Sequence, residues 1–318
     1  MQNTKILISG SLGFISSNLI RKMIYEKEPY DIISIDKVSN NLNAAYFNKS
    51  HSFHIANLCD QNILNSIFEF EQPEIVLHMA ASTHVDFSIS NPSEFVMNNV
   101  LATQNVINAC VKYKIKKLIY VSTDETLGQL STTDEPWNEN APLNPRNPYA
   151  VTKASGEMLL DAAWNSWNLP FIKIRMSNNY GNRQDSSKLI PKVIKCINNN
   201  LEIPIYGKGE EIRDWLHVFD SCAGIIKILN NGLDNNIYHI AANQESSNID
   251  LVNMICNKMG KGHELIKLID DPRKNAHDFR YAMNCDKLKA LGWKPKLKLS
   301  DGLDNTLLWF KSNSYFLK

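Results

Sequence analysis

The sequence predicts an α/β protein: a doubly wound parallel sheet followed by a smaller mixed α/β region. Three observations carry that expectation. Short, continuously apolar, β-branched runs recur over residues 5–175, the pattern of strands buried on both faces. Helical stretches separate them, so successive strands need crossover connections and lie parallel. After about residue 178 the alternation gives way to polar loops, short helices and isolated strands.

Each element has its own signal. Lys5-Ile6-Leu7-Ile8-Ser9 is a first strand, followed by a Gly turn and a helix reaching about residue 27. Ile32-Ile33-Ser34-Ile35-Asp36, Glu74-Ile75-Val76-Leu77-His78, Lys117-Leu118-Ile119-Tyr120-Val121-Ser122 and Phe171-Ile172-Lys173-Ile174-Arg175 repeat the apolar run. Helices are expected over 93–113 and 149–166, then over 187–199, 220–231 and 248–259. The division falls between residues 1–177 and 178–318, although the run Ile237-Tyr238-His239-Ile240 can return to the main sheet.

Composition narrows the class. With 318 residues, 43% hydrophobic and 21% charged, the chain reads as a soluble globular protein. A net charge of +1 leaves no electrostatic footprint for nucleic acid or an acidic membrane. Six scattered cysteines without C-x-x-C argue against a metal site or a disulfide framework and for thiols in a reducing compartment. The early strand at residues 5–9 leaves no room for a signal peptide, and no apolar run approaches the ~20 residues of a membrane span. A cytoplasmic location is expected.

Gly10-Ser11-Leu12-Gly13-Phe14-Ile15-Ser16 lies between a strand and a helix. Gly10 and Gly13 permit a tight turn, and the helix start at Phe14 and Ile15 can receive a pyrophosphate. Ser16 stands where a third glycine is usual. Asp36 ends the second strand, where a carboxylate accepts the ribose hydroxyls of NAD and repels the 2′-phosphate of NADP. Lys37 beside it keeps NADP as the lesser alternative. Asn57 and Leu58 can reach an adenine edge, and the small Ala80 and Ala81 after His78-Met79 let backbone approach a cofactor.

Ser122-Thr123-Asp124-Glu125-Thr126-Leu127-Gly128, followed by Tyr149 and Lys153, marks a reaction centre. Tyr149 and Lys153 are four residues apart and share a helix face. A neighbouring ammonium, with the positive ring of a nicotinamide, favours the phenolate, so Tyr149 can take a hydroxyl proton while hydride leaves the carbon. Thr123 can bond the same hydroxyl. Asp124 and Glu125 add a general acid and a general base, which a plain alcohol oxidation does not need and elimination of water does. A solvated turn is the alternative reading of the pair.

In this order, with Thr83-His84-Val85-Asp86 and Ser177-Asn178-Asn179-Tyr180-Gly181, these motifs resemble the extended short-chain dehydrogenase/reductases, and among them the nucleotide-hexose 4,6-dehydratases. Lys188-Leu189-Ile190-Pro191, Ile205-Tyr206-Gly207, Ile212-Arg213-Asp214-Trp215 and Arg280-Tyr281 extend the resemblance nearly end to end. It implies a Rossmann domain and bound NAD. It also implies C4 oxidation at Tyr149, removal of the C5 proton by Glu125, protonation of the departing C6 hydroxyl by Asp124, and hydride return to C6. His84, Asn178, Lys188, Arg213, Asn243, Arg280 and Tyr281 would then hold the nucleotide diphosphate sugar, UDP- or dTDP-linked glucose or UDP-N-acetylglucosamine. Relatives pair two long helices across a two-fold axis, which makes Ala109, Ala154, Met158, Ala162 and Trp164 a candidate homodimer face.

Three positions depart from the family pattern. Ser82 and Ser187 replace glutamates, and Thr126-Leu127 replaces Val-Tyr. Loss of a carboxylate at 187 could admit an acetamido group and allow reprotonation on the other face of C5, hence an N-acetylglucosamine 4,6-dehydratase that inverts C5. A 4-epimerase would carry small residues at 124 and 125. A glucuronate decarboxylase would carry Ser at 124. A dinucleotide-sensing protein would lack the Tyr or the Lys.

Overall fold

The structure, a computed structural model, describes residues 3–38, 43, 51–273 and 278–318. Its strands are β1 (Thr4–Ser9), β2 (Tyr30–Asp36), β3 (Ser52–Ile55), β4 (Ile75–His78), β5 (Lys117–Thr123), β6 (Phe171–Met176), β7 (Asn178–Tyr180), β8 (Ile203–Tyr206), β9 (Ile212–His217), β10 (Asn236–Ile240), β11 (Glu245–Ser247) and β12 (Ile266–Ile269). Seven of them form one parallel sheet in the order β10-β6-β5-β4-β1-β2-β3. The chain winds outward from β1 in both directions, and the strand order reverses between β1 and β4. In open α/β sheets that reversal opens a crevice at the carboxyl ends of the strands.

The helices are α1 (Phe14–Glu26), α2 (Gln61–Glu71), α3 (Val85–Ser90), α4 (Pro92–Phe95), α5 (Ala102–Lys112), α6 (Pro148–Trp167), α7 (Leu189–Asn198), α8 (Val218–Asn231), α9 (Asn248–Met259), α10 (Asp286–Ala290) and α11 (Leu299–Ser312). Alternation along β1 sorts the core into two layers. Ile6 and Ile8 pack with Leu19 and Met23 of α1 and Ile225 of α8. Leu7 packs on the other face with Phe68 of α2, Ile107 of α5 and Leu160 of α6. The doubly wound parallel sheet read from the sequence is therefore what the chain builds. A third core joins α7, α9 and α11 beneath the small sheets β11-β9-β7 and β12-β8.

Two details differ from expectation. The single helix expected over 93–113 is α4 and α5 joined by a π-helical turn, Val96–Leu101. That turn directs Asn99 inward, where its side chain holds the backbone of Ser82 and the hydroxyl of Thr152 on α6. Ala109 and Ala154, placed on a candidate dimer face, are buried within the chain. They pack where α5 and α6 lie on the sheet.

Candidate active site

The carboxyl ends of β1, β2, β4 and β5 converge on a cavity of about 910 Å³. Gly10 follows β1 with φ +66°, and a Cβ there would stand 2.7 Å from the Cα of Ala80. Only glycine permits this backbone approach. Gly13 then caps α1 without a side-chain bond, so the first N–H groups of the helix are left for a ligand. Phe14, Ile15 and Ser16 of that turn line the cavity, as do Lys37, Asn57, Leu58, Ala80 and Ala81. Asp36 accepts the Leu12 N–H at 2.9 Å and also faces the cavity, which fixes a carboxylate at the end of β2. Orphan amides and a ribose-side carboxylate at one switch point fit a dinucleotide such as NAD.

The reaction centre follows β5. Thr123 caps the short 3-10 turn Asp124–Leu127, and its hydroxyl lies 3.0 Å from Asp124 Oδ1. Pro148 starts α6, and the Asn147 side chain accepts the Ala150 N–H at 2.8 Å. The Nδ2 of the same side chain donates to Glu125 at 2.9 Å. One asparagine thus caps the helix that carries Tyr149 and Lys153 and tethers the neighbouring carboxylate. One turn further along α6, Glu157 receives Arg175 through two nitrogens and the hydroxyls of Ser122 and Thr126, all buried.

Burial separates the two carboxylates. It pushes Asp124 up to about 8, with Glu125 adding to the rise, so Asp124 is protonated at neutral pH. Asp124 Oδ2 is buried, with no hydrogen-bond partner among the described residues. Burial also raises Glu125, but the Asn147 amide favours its ionised form. Lys153 is pushed down to about 7 by burial, against the pull of Glu157. Burial drives the Tyr149 phenol up, and Glu125 and Asp124 add to that, so Lys153 alone does not make it a phenolate. Positive charge beside the phenol, as in an oxidised nicotinamide ring, is required.

Thr123, Asp124, Glu125, Tyr149, Lys153, Asn178 and Lys188 all line this cavity together with the cofactor residues. The other five residues proposed for substrate have partners within the chain. Arg213 turns its guanidinium to the carbonyls of Ile212, Asp278 and Phe279 and lies over the Tyr281 ring at 4.3 Å. Tyr281 donates to Asp278. Arg280 is held by Glu245 and by the carbonyls of Ser131 and Asp134. Asn243 bonds the carbonyl of Met283. His84 caps α3 against Phe87, beside Thr83, whose carbonyl receives Lys188. None of these five lines the cavity. Ser187 is exposed and off the cavity as well, and Ser186 and Ser82 line it. Sequence reasoning assigned no role to Asn147, Gln184, Trp215 or Phe316. The last three line the cavity, and among the described residues the Gln184 Oε1 and Trp215 Nε1 atoms have no hydrogen-bond partner. Trp215 lies in the Ile212-Arg213-Asp214-Trp215 motif and Asn147 stands before the Pro148 that starts α6, local signals for both; Phe316 has no local motif.

The family model described as GDP-mannose 4,6 dehydratase matches residues 7–306. A dTDP-glucose 4,6-dehydratase of Haemophilus influenzae is 34% identical, covering 97% of this chain and 98% of its own. This chain belongs to the nucleotide-sugar 4,6-dehydratases of the extended short-chain dehydrogenase/reductase family. A dTDP-glucose 4,6-dehydratase of Streptomyces venezuelae, solved with NAD bound, superposes with a TM-score of 0.93 at 30% identity over 99% of both chains. A UDP-glucose 4-epimerase of Thermotoga maritima gives 0.89 at 26% identity, covering 98% of this chain and all of its own. The backbone is thus shared by dehydratases and epimerases, and side chains must separate the two reactions.

Proposed function

We infer that the chain is an NAD-dependent nucleotide-sugar 4,6-dehydratase, converting a nucleoside diphosphate hexose to its 4-keto-6-deoxy product. The observation that carries this reading is the Asp124–Glu125 pair beside Tyr149, Asp124 buried and protonated, Glu125 half-buried and tethered. An epimerase has no use for such a pair. The names of the similar proteins make dTDP-glucose the first substrate to test. The N-acetylglucosamine reading, with inversion at C5, leaned on Ser187, which stands outside the cavity, and retains only Ser82.

Gly10, Gly13 and Asp36 would hold NAD, which would supply a hydride acceptor for the C4 oxidation and the donor for the return to C6. The chain supplies the proton steps. Tyr149 takes the C4 hydroxyl proton, with Thr123 beside it on the strand end. The C4 ketone acidifies C5–H, and Glu125 removes that proton. Asp124, kept protonated by burial, donates to the departing C6 hydroxyl. Asn178 and Lys188 stand where a diphosphate sugar would enter, Lys188 as a point charge. Residues 1–177 would carry the cofactor and 178–318 the sugar nucleotide, with β10 joined to the first unit.

A homodimer is the assembly that fits the exposed side of α6 and the preceding helix. Met158 is 62% exposed and Trp164 37%, and Val96, Met97 and Val151 are exposed beside them. All six cysteines are free, which suits the cytoplasm. Among the described residues no helix is long and apolar enough to cross a membrane. Mass spectrometry of reactions with dTDP-glucose, UDP-glucose and UDP-N-acetylglucosamine, with catalytic NAD, tests the reading. Loss of one water from one of them is expected. An unchanged mass with a new isomer would replace the dehydratase by an epimerase.

A further inference from the structure

Lys153 lines the cavity together with the cofactor residues, and it is only 3% exposed. The carboxylate one turn away, Glu157, is committed to Arg175, Ser122 and Thr126. Burial of an ammonium favours loss of its proton. The Lys153 Nζ meets the face of Tyr120 on β5, with the ring centroid 4.1 Å away.

Tyr120 is built into this position. It is fully buried, and its hydroxyl donates to the Lys153 carbonyl at 3.3 Å, so both ends of the lysine touch one side chain. Gly156 makes the space: a Cβ there would stand 2.2 Å from the Tyr120 oxygen. The other ionisable groups around the pair come from every adjoining element. They are Tyr149 and Glu157 on α6, Asp124 and Glu125 after β5, Arg175 on β6, and His78 on β4, whose ring lies 5.7 Å from that of Tyr120. His78 is neutral at physiological pH, pushed down to about 3 by burial and by Lys153, and it bonds Ser9 and Thr103. It therefore cannot compensate the ammonium.

We propose that Tyr120 is a positioning residue whose ring face seats the Lys153 ammonium, keeps it charged and holds it where Tyr149 can use its field. A cation over an aromatic face is most favourable where water is excluded, as here. The proposal rests on Tyr149 and Lys153 being the redox pair, and it does not depend on which sugar nucleotide reacts.

An isosteric series at position 120 tests it on the NAD-loaded enzyme: Tyr120→Phe, then phenylalanines carrying one, two and three ring fluorines, then Tyr120→Leu. Two quantities are read. One is the titration of Lys153, followed by NMR of its ε-carbon, which needs no substrate. The other is the pH profile of cofactor reduction by dTDP-glucose in a single turnover. Tyr120→Phe keeps the face, so both stay within about twofold of the parent. Successive fluorines drain the face without changing its shape. The Lys153 midpoint then falls stepwise, by about one pH unit at three fluorines. The acid limb of cofactor reduction moves up in step, because a weaker ammonium leaves the Tyr149 phenol harder to ionise. A Lys153 midpoint that ignores the fluorines overturns the proposal even if activity falls, since that pattern marks a packing role alone. A parent enzyme that titrates Lys153 as described but reduces no cofactor would instead count against the dehydratase reading. The fluorinated variants keep the ring volume, so the test survives a misfolded Tyr120→Leu.

Discussion

The two walls of the cavity are built by different means. On the cofactor and reaction side, Gly10, Asp36, Ala80 and Thr123 to Glu125 sit within two residues of strand ends in a sheet paired on both sides of β1, β4 and β5. On the facing wall, the one proposed for the sugar, Asn178, Gln184, Lys188, Trp215 and Phe316 come from a three-residue strand, the strand β9 of a small sheet, loops and a 3-10 turn near the C-terminus. Proton and hydride transfer demand fixed geometry, which a hydrogen-bonded ladder supplies. Choice of sugar and nucleotide demands variability, which loops tolerate. A dehydratase and an epimerase can therefore share this backbone, as their TM-scores of 0.93 and 0.89 to this chain show.

If that division holds, substitutions on the two walls separate kinetically. The largest effect is expected for Tyr149→Phe, which removes the C4 base; single-turnover cofactor reduction should fall by roughly 10²–10⁴-fold with little change in substrate affinity. Asp124→Asn comes next. The C4 oxidation continues while water loss slows by at least about 10²-fold, so reduced cofactor accumulates on the enzyme and is visible by its absorbance. On the sugar wall, Lys188→Ala should raise KM by about tenfold and leave kcat within a few fold. Loss of kcat alone in that variant would break the comparison.

Asp124 also fixes a pH dependence. Its folded value, about 8, lies above the ordinary carboxylate value of 3.8. The proton it holds favours the folded state below the ordinary value, and that contribution is lost as pH rises through about 8. Water loss requires the same proton, so kcat should be flat on the acid side of that limb and fall through about pH 8. In Asp124→Asn the stability slope across this window should flatten, as chemical denaturation at stepped pH would show. The smallest effect is expected for Asn147→Ala. Loss of the cap costs about 1 kcal/mol, seen as a Tm lower by a few degrees. Freeing Glu125 should slow exchange of the C5 proton about tenfold more than it slows C4 oxidation.

The rigid wall was also the legible one. Gly10, Asp36, Thr123 to Glu125, Tyr149 and Lys153 lie in short motifs whose spacing reports a strand end or a helix face, so position and chemistry can be read together. Arg213 and Arg280 show the limit. Their type suggests phosphate, and the carbonyls and the Glu245 carboxylate that they also meet come from segments up to 149 residues away, which no local pattern announces. Ala109 and Ala154 fail for a related reason. Small residues suit a helix against its own sheet as well as a helix against a partner, and only docking of α5 and α6 decides. Phe316 reaches the cavity through packing on Trp309 and Arg183, which unites residues far apart in the chain.

The central claim is that Asp124 and Glu125 work as an acid and base in elimination, after oxidation at Tyr149. Its most direct test is the reaction of dTDP-glucose in deuterated water with catalytic NAD, the product read by NMR and mass spectrometry. The account predicts a 4-keto-6-deoxy product that has lost one water and carries one deuterium, at C5. A 4-epimer of unchanged mass, with no deuterium on carbon, would contradict it.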